Sequence, residues 1–310
     1  MSSTPDQLFA GAKELPHKHL AGGMYFGEGP QYHNGLLYLS DMTGRRIYTV
    51  DPSSGEKQLL IKVENQPNGM GFAPDGSLIY SSMFDGKLHR FKDGKIELYA
   101  DMSHAMTGYC GDMVIDHAGR VYMDDVGARV LHGEKPKAGR LLIVETDGTV
   151  KIAAEDLVFP NAIMINGSGQ SLIVAETFAR QLSKFDIGDG GKLHNRRVIW
   201  TPPPVTSAHD PNGIFSIDGG CIDGEDGMWL SMLSYERFIR LDAQGNITHQ
   251  IKVDGHATAC TLGGEDGKTL YLVTNKAPSD ETFFDGMVNK RTKCTVSTAR
   301  VDIARGGAFL

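Results

Sequence analysis

The sequence predicts an all-β fold, a six-bladed β-propeller. Glycine accounts for 38 of the 310 residues, which is roughly 12 % against the usual value of about 7 %. Many of these glycines stand in D-G, N-G and G-G pairs, which favour tight turns between strands. Short runs rich in β-branched and aromatic residues lie between the turns, and long helical patterns are hard to find.

An internal repeat is the third observation that supports this fold. Each copy reads as a short inner strand, a glycine-containing turn and an apolar strand, and a third strand follows in most copies. The copies are EGPQYHNGLLYLS from Glu28, NGMGFAPDGSLIYSS from Asn68, GDMVIDHAGRVYMD from Gly111, NAIMINGSGQSLIVAE from Asn161, DGGCIDGEDGMWLS from Asp218 and TLGGEDGKTLYLV from Thr261. Their starts are 40, 43, 50, 57 and 43 residues apart, the period of a four-stranded blade with insertions in two blades. The alternative is a β-sandwich with coincidental spacing.

Six repeats fill the chain, so we expect a single propeller domain over residues 1–310, with residues 1–20 partly outside the repeat. The tail CTVSTARVDIARGGAF reads as two further short strands. These strands are expected to pair with N-terminal strands and close the ring, which removes open sheet edges.

Composition excludes several classes of function. The net charge is −7, and Lys and Arg are scattered without a basic run, which argues against binding to nucleic acid or an anionic membrane. The opening residues lack a secretory signal pattern, and no apolar run approaches the roughly 20 residues of a membrane helix. We therefore expect a cytoplasmic protein with reduced cysteines and a small-molecule substrate; the sequence leaves its oligomeric state open.

The first residue of each repeat predicts a metal site. Equivalent positions on the inner strands of a propeller lie around one central channel, and here they carry two carboxylates, two carboxamides and a hydroxyl. Carboxylates brought together raise each other's pKa unless a cation lies between them. An all-oxygen donor set suits a hard divalent cation: Ca²⁺ first, then Mg²⁺ or Mn²⁺, with Zn²⁺ less favoured because the set lacks His and Cys.

Three segments resemble the senescence-marker-protein/gluconolactonase/luciferin-regenerating-enzyme family: GEGPQYHNGLLYLSDMTGRRIYTVD, FPNAIMINGSGQSLIVAETFARQLSKFDI and DGGCIDGEDGMWLS. The similarity runs from about Ala21 to the C-terminus. It implies a six-bladed propeller, often a lactone hydrolase, with a divalent metal, commonly Ca²⁺, on the channel axis. The motifs that carry the family's metal ligands fall on Glu28, Asn161 and Asp218, which the repeat had already selected.

One segment departs from the family pattern. In TGYCGDMVID, Gly111 stands in place of the family's Asn, Tyr109 lies at or near the position of a family Arg, and Asp112 is retained. The missing carboxamide predicts a gap in the polar lining and a larger pocket. This departure affects the expected sugar-lactone substrate more than the expected metal.

These residues lead to a first hypothesis, metal-assisted hydrolysis of a lactone or related ester. Asp218 is expected to be both a metal ligand and a catalytic group for proton transfer, with Asp112 as the second candidate base. Contacts with the substrate are expected from Asn68, Met83, Tyr109 and Gly111. Two alternatives stay open: a metal-dependent isomerase, lyase or arylesterase-like enzyme on the same propeller, and a non-catalytic propeller that binds calcium or another ligand.

Overall fold

A computed structural model describes residues 5–202 and 216–306. Its strands form six antiparallel units of four strands each, which confirms the six-bladed propeller. A short strand, β1 (Lys13–Glu14), adds in parallel to the outer edge of one unit.

The first three blades follow the chain from the inner strand to the outer strand. Blade 1 consists of β3 (Gly27–His33), β4 (Leu36–Asp41), β5 (Arg46–Val50) and β6 (Lys57–Lys62). Blade 2 consists of β7 (Pro67–Phe72), β8 (Leu78–Ser82), β9 (Lys87–Lys92) and β10 (Lys95–Asp101). Blade 3 consists of β11 (Met113–Ile115), β12 (Val121–Asp125), β13 (Gly139–Val144) and β14 (Val150–Leu157).

The last three blades repeat this order, except that the N-terminal segment completes the sixth. Blade 4 consists of β15 (Pro160–Ile165), β16 (Ser171–Glu176), β17 (Gln181–Ile187) and β18 (Leu193–Trp200). Blade 5 consists of β19 (Ile217–Ile222), β20 (Met228–Met232), β21 (Arg237–Leu241) and β22 (Ile247–Lys252). Blade 6 consists of β23 (His256–Gly263), β24 (Thr269–Lys276), β25 (Lys293–Arg300) and β2 (Lys18–Met24).

The pairing of β2 with β25 confirms that the tail meets an N-terminal strand. The tail supplies one strand rather than the two expected. After β25 the chain forms only an isolated bridge between Asp223 and Arg305, and residues 307–310 lie outside the described part.

Buried apolar side chains fill the spaces between neighbouring blades. Six of the clusters each join two adjacent blades, and together they account for all six interfaces of the ring. In β12, for example, Val121 and Met123 pack towards blade 2, whereas Tyr122 packs towards blade 4. Because both faces of a blade are covered, these strands read as continuous apolar runs rather than alternating ones.

Turn chemistry explains where the strands break. Asn34 and Gly35 link β3 to β4, and both have positive φ angles, 47° and 82°. A two-residue hairpin of this type needs positive φ at both positions, which Asn and Gly tolerate best.

Helices are few and short. In the described part of the chain they are α1 (Pro5–Leu8), α2 (Phe283–Val288) and the 3₁₀ turns Val130–His132, Asp189–Gly191 and Leu233–Tyr235. None of those in the described ranges has the length and apolar character of a membrane-spanning helix. Helix α2 begins with a cap in which the backbone N–H of Asp285 donates to Oγ1 of Thr282 at 3.2 Å.

Candidate functional site

The inner strands line two cavities, one near their first residues and one along the rest of their length. The first, called the acidic cavity, encloses about 740 Å³ including its opening. Its carboxylate and carboxamide side chains, among the residues that the structure describes, are those of Glu28, Asn68, Asp112, Asp124, Asn161 and Asp218. The second, called the opposite cavity, encloses about 1310 Å³ and includes Asp116, Cys221, Cys260 and Arg305. Asp112 lines both cavities.

All eight residues selected from the sequence lie in the lining of the acidic cavity. They are Glu28, Asn68, Met83, Tyr109, Gly111, Asp112, Asn161 and Asp218. Four belong to inner strands and four to connections between strands. Their proximity is a structural finding, whereas their individual roles in binding and catalysis stay predictions.

The prediction that Thr261 is the sixth member of the ring was wrong, because this residue lines the opposite cavity. A Cβ added at Gly29 would lie 2.3 Å from the carbonyl oxygen of Asn68, the leading residue of the next blade. Gly29 and Gly219 each directly follow the leading residue of their own blade, and a Cβ added at Gly219 would lie 2.8 Å from the carbonyl oxygen of Thr258. Thr258 therefore occupies the position in blade 6 that Asn68 occupies in blade 2. The inner strand of this blade has eight residues, so aligning the copies at the turn misplaced its start.

Hydrogen bonds fix the orientation of three polar groups on the floor of the acidic cavity. The Asn161 carboxamide donates through Nδ2 to Oδ1 of Asp218 at 2.7 Å. The backbone N–H of Ala162 donates to Oδ2 of Asp112 at 2.9 Å and to Oδ1 of Asn161 at 3.0 Å. Blades 3, 4 and 5 are thus connected through the carboxylates of Asp112 and Asp218.

Sequence reasoning missed Asp124, a fully buried carboxylate in β12. It accepts hydrogen bonds from the backbone N–H groups of Gly111 and of Asp112, the latter at 2.9 Å. The inner-strand residues Glu28 and Asn161 pair in β4 and β16 with Ser40 and Ala175. Asp124 is an acid at the position in β12 that corresponds to the small residues Ser40 in β4 and Ala175 in β16. This difference between the blades is the signal that could have identified it.

The carboxylates of this floor have raised pKa values because they are buried close to one another. Burial, followed by the negative charge of Asp112, raises the pKa of Asp218 to about 8. Burial raises the pKa of Asp112 to about 6. Burial, and then the charges of Asp218 and Asp112, raises the pKa of Glu28 well above its usual value. Burial and Asp112 do the same to the pKa of Asp124.

The floor lacks a compensating positive charge within the part of the chain that the structure describes. No Lys, Arg or His lines the acidic cavity there, and its four carboxylates form no salt bridge. Buried charges are normally paired or bound to a metal. The Oδ1 atom of Asn68 is also buried without a hydrogen-bond partner. A cation with a preference for oxygen ligands fits these groups.

The chemistry of the donor set decides which residues could bind that cation. Among residues 5–202 and 216–306, no group of three or more His, Cys, Asp or Glu side chains is arranged to hold a metal ion. The predicted set of Glu28, Asn161 and Asp218 contains only two side chains of these types, because its third member is a carboxamide. Together with Asn68 this set offers oxygen donors only, which suits Ca²⁺ better than Zn²⁺.

Apolar side chains form the wall above the acidic floor. Phe26, Met42, Met83, Tyr109, Val126 and Met287 make one buried cluster, and Phe283 and Phe284 of α2 pack against it. The ring of Phe283 stacks on His256 with their centroids 3.9 Å apart. Helix α2 therefore places aromatic and methionine side chains from the β24–β25 connection over the cavity, a feature that strand patterns did not predict.

The comparison with protein families agrees with this architecture. Residues 26–276 match the family described as "SMP-30/Gluconolactonase/LRE-like region". The chain belongs to this family. The resemblance drawn from the motifs is thereby confirmed.

Relatives of the family match most of the chain. Pentonolactonase XacC from Haloferax volcanii is 24 % identical over 263 residues, which cover 84 % of this chain and 85 % of that protein. Regucalcin from Gallus gallus is 22 % identical over 256 residues, which cover 80 % and 82 %.

Solved structures of similar fold include the calcium-binding protein regucalcin from Agrobacterium tumefaciens. It matches with a TM-score of 0.77 and 18 % identity, over 96 % of this chain and 97 % of that one. A gluconolactonase from Xanthomonas campestris matches with a TM-score of 0.72 and 19 % identity, over 92 % and 89 %. These likenesses show that the fold is shared.

The departure from the family pattern at Gly111 has a structural counterpart. A Cβ at this position would lie 3.2 Å from Oδ2 of Asp124 and 3.3 Å from Nδ2 of Asn68. The gap expected from the missing carboxamide is therefore occupied at its base by these two side chains. Tyr109 lies beside it, and its hydroxyl hydrogen-bonds with Nδ1 of His132.

Proposed function

We propose that this member of the SMP-30/gluconolactonase/LRE-like family is a metal-dependent hydrolase of a lactone or related carboxylic ester. The observation that carries the proposal is a floor of four carboxylates, two buried and two partly buried, without a cationic partner in the described part, in a family whose relatives include a named pentonolactonase. The name regucalcin among the relatives supports a divalent cation, with Ca²⁺ the first candidate.

Glu28, Asn161 and Asp218 are the residues proposed to hold the cation, with Asn68 close enough to line the same floor. A divalent cation bound here would act as a Lewis acid toward the scissile carbonyl and stabilise negative charge that develops on its oxygen. Its charge would also offset the repulsion between the buried carboxylates.

Asp218 is the proposed general base. Its pKa of about 8 in the absence of a cation lies near neutrality, and a nearby positive charge lowers the pKa of a carboxylate. A carboxylate in this range can accept a proton from the attacking water and return it to the leaving alkoxide oxygen as the ring C–O bond breaks. The Asn161 Nδ2 group, 2.7 Å from Oδ1, holds the Asp218 carboxylate in orientation.

Asp112 is the second candidate for proton transfer. Its carboxylate is held by the backbone N–H of Ala162, and its backbone N–H is held by Asp124. With a pKa of about 6, it is mostly ionised at neutral pH. Both candidates are partly buried and held by hydrogen bonds, an arrangement that suits acid–base catalysis.

A chelation experiment tests the proposal. Hydrolysis of glucono-δ-lactone, δ-valerolactone, δ-decalactone and phenyl acetate is followed with a pH indicator, before and after exhaustive chelation and after Ca²⁺, Mg²⁺ or Mn²⁺ is restored. We expect chelation to lower kcat/KM for at least one of these compounds by about 100-fold or more, and restored metal to recover it. Full activity after chelation would contradict the metal dependence, and turnover of none would contradict the hydrolase.

A further inference from the structure

Polar and apolar groups are segregated within the acidic cavity. Of the twenty-one lining residues that the structure describes, twelve are Phe, Met, Leu or Val, and these form the wall. The carboxylates and carboxamides all lie on the inner-strand side, at the floor. A molecule that fills the cavity therefore meets hydrogen-bonding groups at one end and an apolar surface along the rest.

The two hydroxyl groups of the wall are already engaged by the protein. The Thr177 hydroxyl donates through Oγ1 to the carbonyl oxygen of Ile217 at 2.7 Å. The Tyr109 hydroxyl is hydrogen-bonded to the ring of His132. No charged side chain stands on the wall among the lining residues that the structure describes.

This distribution disfavours a polyhydroxylated substrate. Every hydroxyl of a sugar lactone that enters the apolar part gives up its hydrogen bonds with water. Among the described wall side chains it meets only these two hydroxyl groups, which are already hydrogen-bonded within the protein. Each such loss weakens binding by roughly tenfold or more. An alkyl or aryl substituent instead gains from the same surface, by about fourfold for each buried methylene.

We propose that the natural substrate class is a lactone with an apolar alkyl or aryl substituent, rather than an aldonolactone. The inference rests on the proposed hydrolase function and assigns the wall as its specificity determinant. The scissile carbonyl lies against the acidic floor, and the substituent lies against the side chains that include Met83, Leu131 and Phe284. In the reaction water adds to the carbonyl carbon, the ring C–O bond breaks, and the product is an apolar hydroxy acid.

A panel that keeps the same δ-lactone ring isolates the substituent. Unsubstituted δ-valerolactone, the alkyl series from δ-hexalactone to δ-decalactone, and glucono-δ-lactone are compared by kcat/KM. We expect kcat/KM to rise with chain length, by about fourfold per buried methylene, to at least about 50-fold between δ-valerolactone and δ-decalactone. Glucono-δ-lactone is expected to be the poorest substrate.

Binding is measured separately with a compound that cannot be hydrolysed. A cyclohexanone that carries the pentyl chain of δ-decalactone is titrated calorimetrically into the purified protein, and unsubstituted cyclohexanone is the control. We expect the pentyl compound to bind at least about tenfold more tightly. Equal binding of the two ketones would overturn the assignment of the wall.

A matched pair of leucine variants tests the location. Leu131 is a half-buried wall residue on a 3₁₀ turn, whereas Leu98 is 57 % exposed on the outer strand β10. Leu131→Gln is expected to lower kcat/KM for δ-decalactone about tenfold and to change that for δ-valerolactone less than about threefold, because only the longer substrate reaches the side chain. Leu98→Gln is expected to change neither.

The outcomes separate the two proposals. Preferred turnover of glucono-δ-lactone would overturn the apolar substrate class while leaving the hydrolase function in place. No turnover of any δ-lactone above that of Asp218→Asn would overturn both. A rise with chain length that Leu98→Gln reduces as much as Leu131→Gln would overturn the role of the wall.

Discussion

The two cavities of the propeller channel are lined by the same inner strands but balance charge differently. In the opposite cavity, Asp116 forms a salt bridge with Arg120, with Oδ2 and Nη2 2.6 Å apart. Arg305 donates from Nη1 to the carbonyl oxygen of Tyr32 at 3.2 Å. In the acidic cavity, Asp218 and its neighbouring carboxylates have no cationic partner among residues 5–202 and 216–306.

Uncompensated charge, rather than volume, identifies the candidate site. A large cavity is the usual first choice for a functional site, and of the two cavities the opposite one is larger, at about 1310 Å³ against 740 Å³. Buried carboxylates with raised pKa values and no counter-charge are costly unless they serve a function. The smaller cavity is therefore the better candidate.

Removing the Asp218 carboxylate from the acidic cavity is expected to change activity the most. Asp218→Asn keeps the shape and the contact with Asn161 but removes the proposed base and a metal-binding charge. We expect it to lower kcat/KM for the best lactone by about 1000-fold. Asp116→Asn is the control, because it makes the same chemical change in the opposite cavity.

The control variant is expected to keep kcat/KM within about threefold while losing some stability, because a partly buried salt bridge with Arg120 is weakened. Steady-state kinetics at saturating Ca²⁺ measure kcat/KM of both variants, and circular dichroism checks that both are folded. Similar activity losses in Asp218→Asn and Asp116→Asn would mean that the two cavities are not functionally different.

A second prediction concerns metal affinity. Glu28→Gln preserves the shape of a buried side chain and removes its charge. The charge of the ligand set tunes Ca²⁺ affinity. We therefore expect the dissociation constant of Ca²⁺ to be about 100-fold higher for Glu28→Gln than for the parent, as measured by calorimetric titration. Glu97→Gln, on the exposed outer strand β10, is the matched control and should bind as the parent does. Parental affinity in Glu28→Gln would place the cation elsewhere.

The pH dependence of stability provides a third prediction. In the folded protein the pKa of Asp218 is about 8, above its ordinary value of 3.8, so folding favours the protonated form. The resulting stability is fully present below about pH 4 and is lost as pH rises toward 8. After chelation, the free energy of unfolding of Asp218→Asn minus that of the parent should therefore increase with pH, by at most about 1.4 kcal/mol per pH unit.

Urea unfolding at pH 5, 6, 7 and 8 measures this difference. Added Ca²⁺ is expected to reduce the pH dependence of the parent, since a bound cation favours the charged carboxylate. A difference between variant and parent that stays constant across this range would show that Asp218 is already ionised in the folded chelated protein.

Much of this site was predictable from the sequence because the fold repeats. A fixed order of strands and glycine turns places Glu28, Asn161 and Asp218 at equivalent points of the inner strands, so one repeat register predicts all three. The same method failed at Thr261, because blade 6 has a longer inner strand and the turn is no longer a reliable origin.

The remaining parts of the site depend on tertiary packing. Asp124 reads as an ordinary acid at a strand end, and only its hydrogen bonds to the backbone beside Asp112 bring it to the floor. The segment Thr282–Asp285 carries a recognisable cap in T-F-F-D, but its position across the ring depends on contacts of Phe283 with His256 and with Phe26. Those partners are far apart in sequence, so local patterns do not reveal them.

Substitution of a thiol in the opposite cavity is expected to change activity the least. Cys221 and Cys260 lie on neighbouring inner strands with their Sγ atoms 4.0 Å apart, and both are free thiols. Burial raises the pKa of the Cys221 thiol well above its usual value, which makes it a poor nucleophile at neutral pH. Cys221→Ser is therefore expected to change kcat/KM by less than about twofold, because it leaves the acidic floor intact. A tenfold loss in a folded variant would assign function to the larger cavity and would break the contrast between the two ends of the channel.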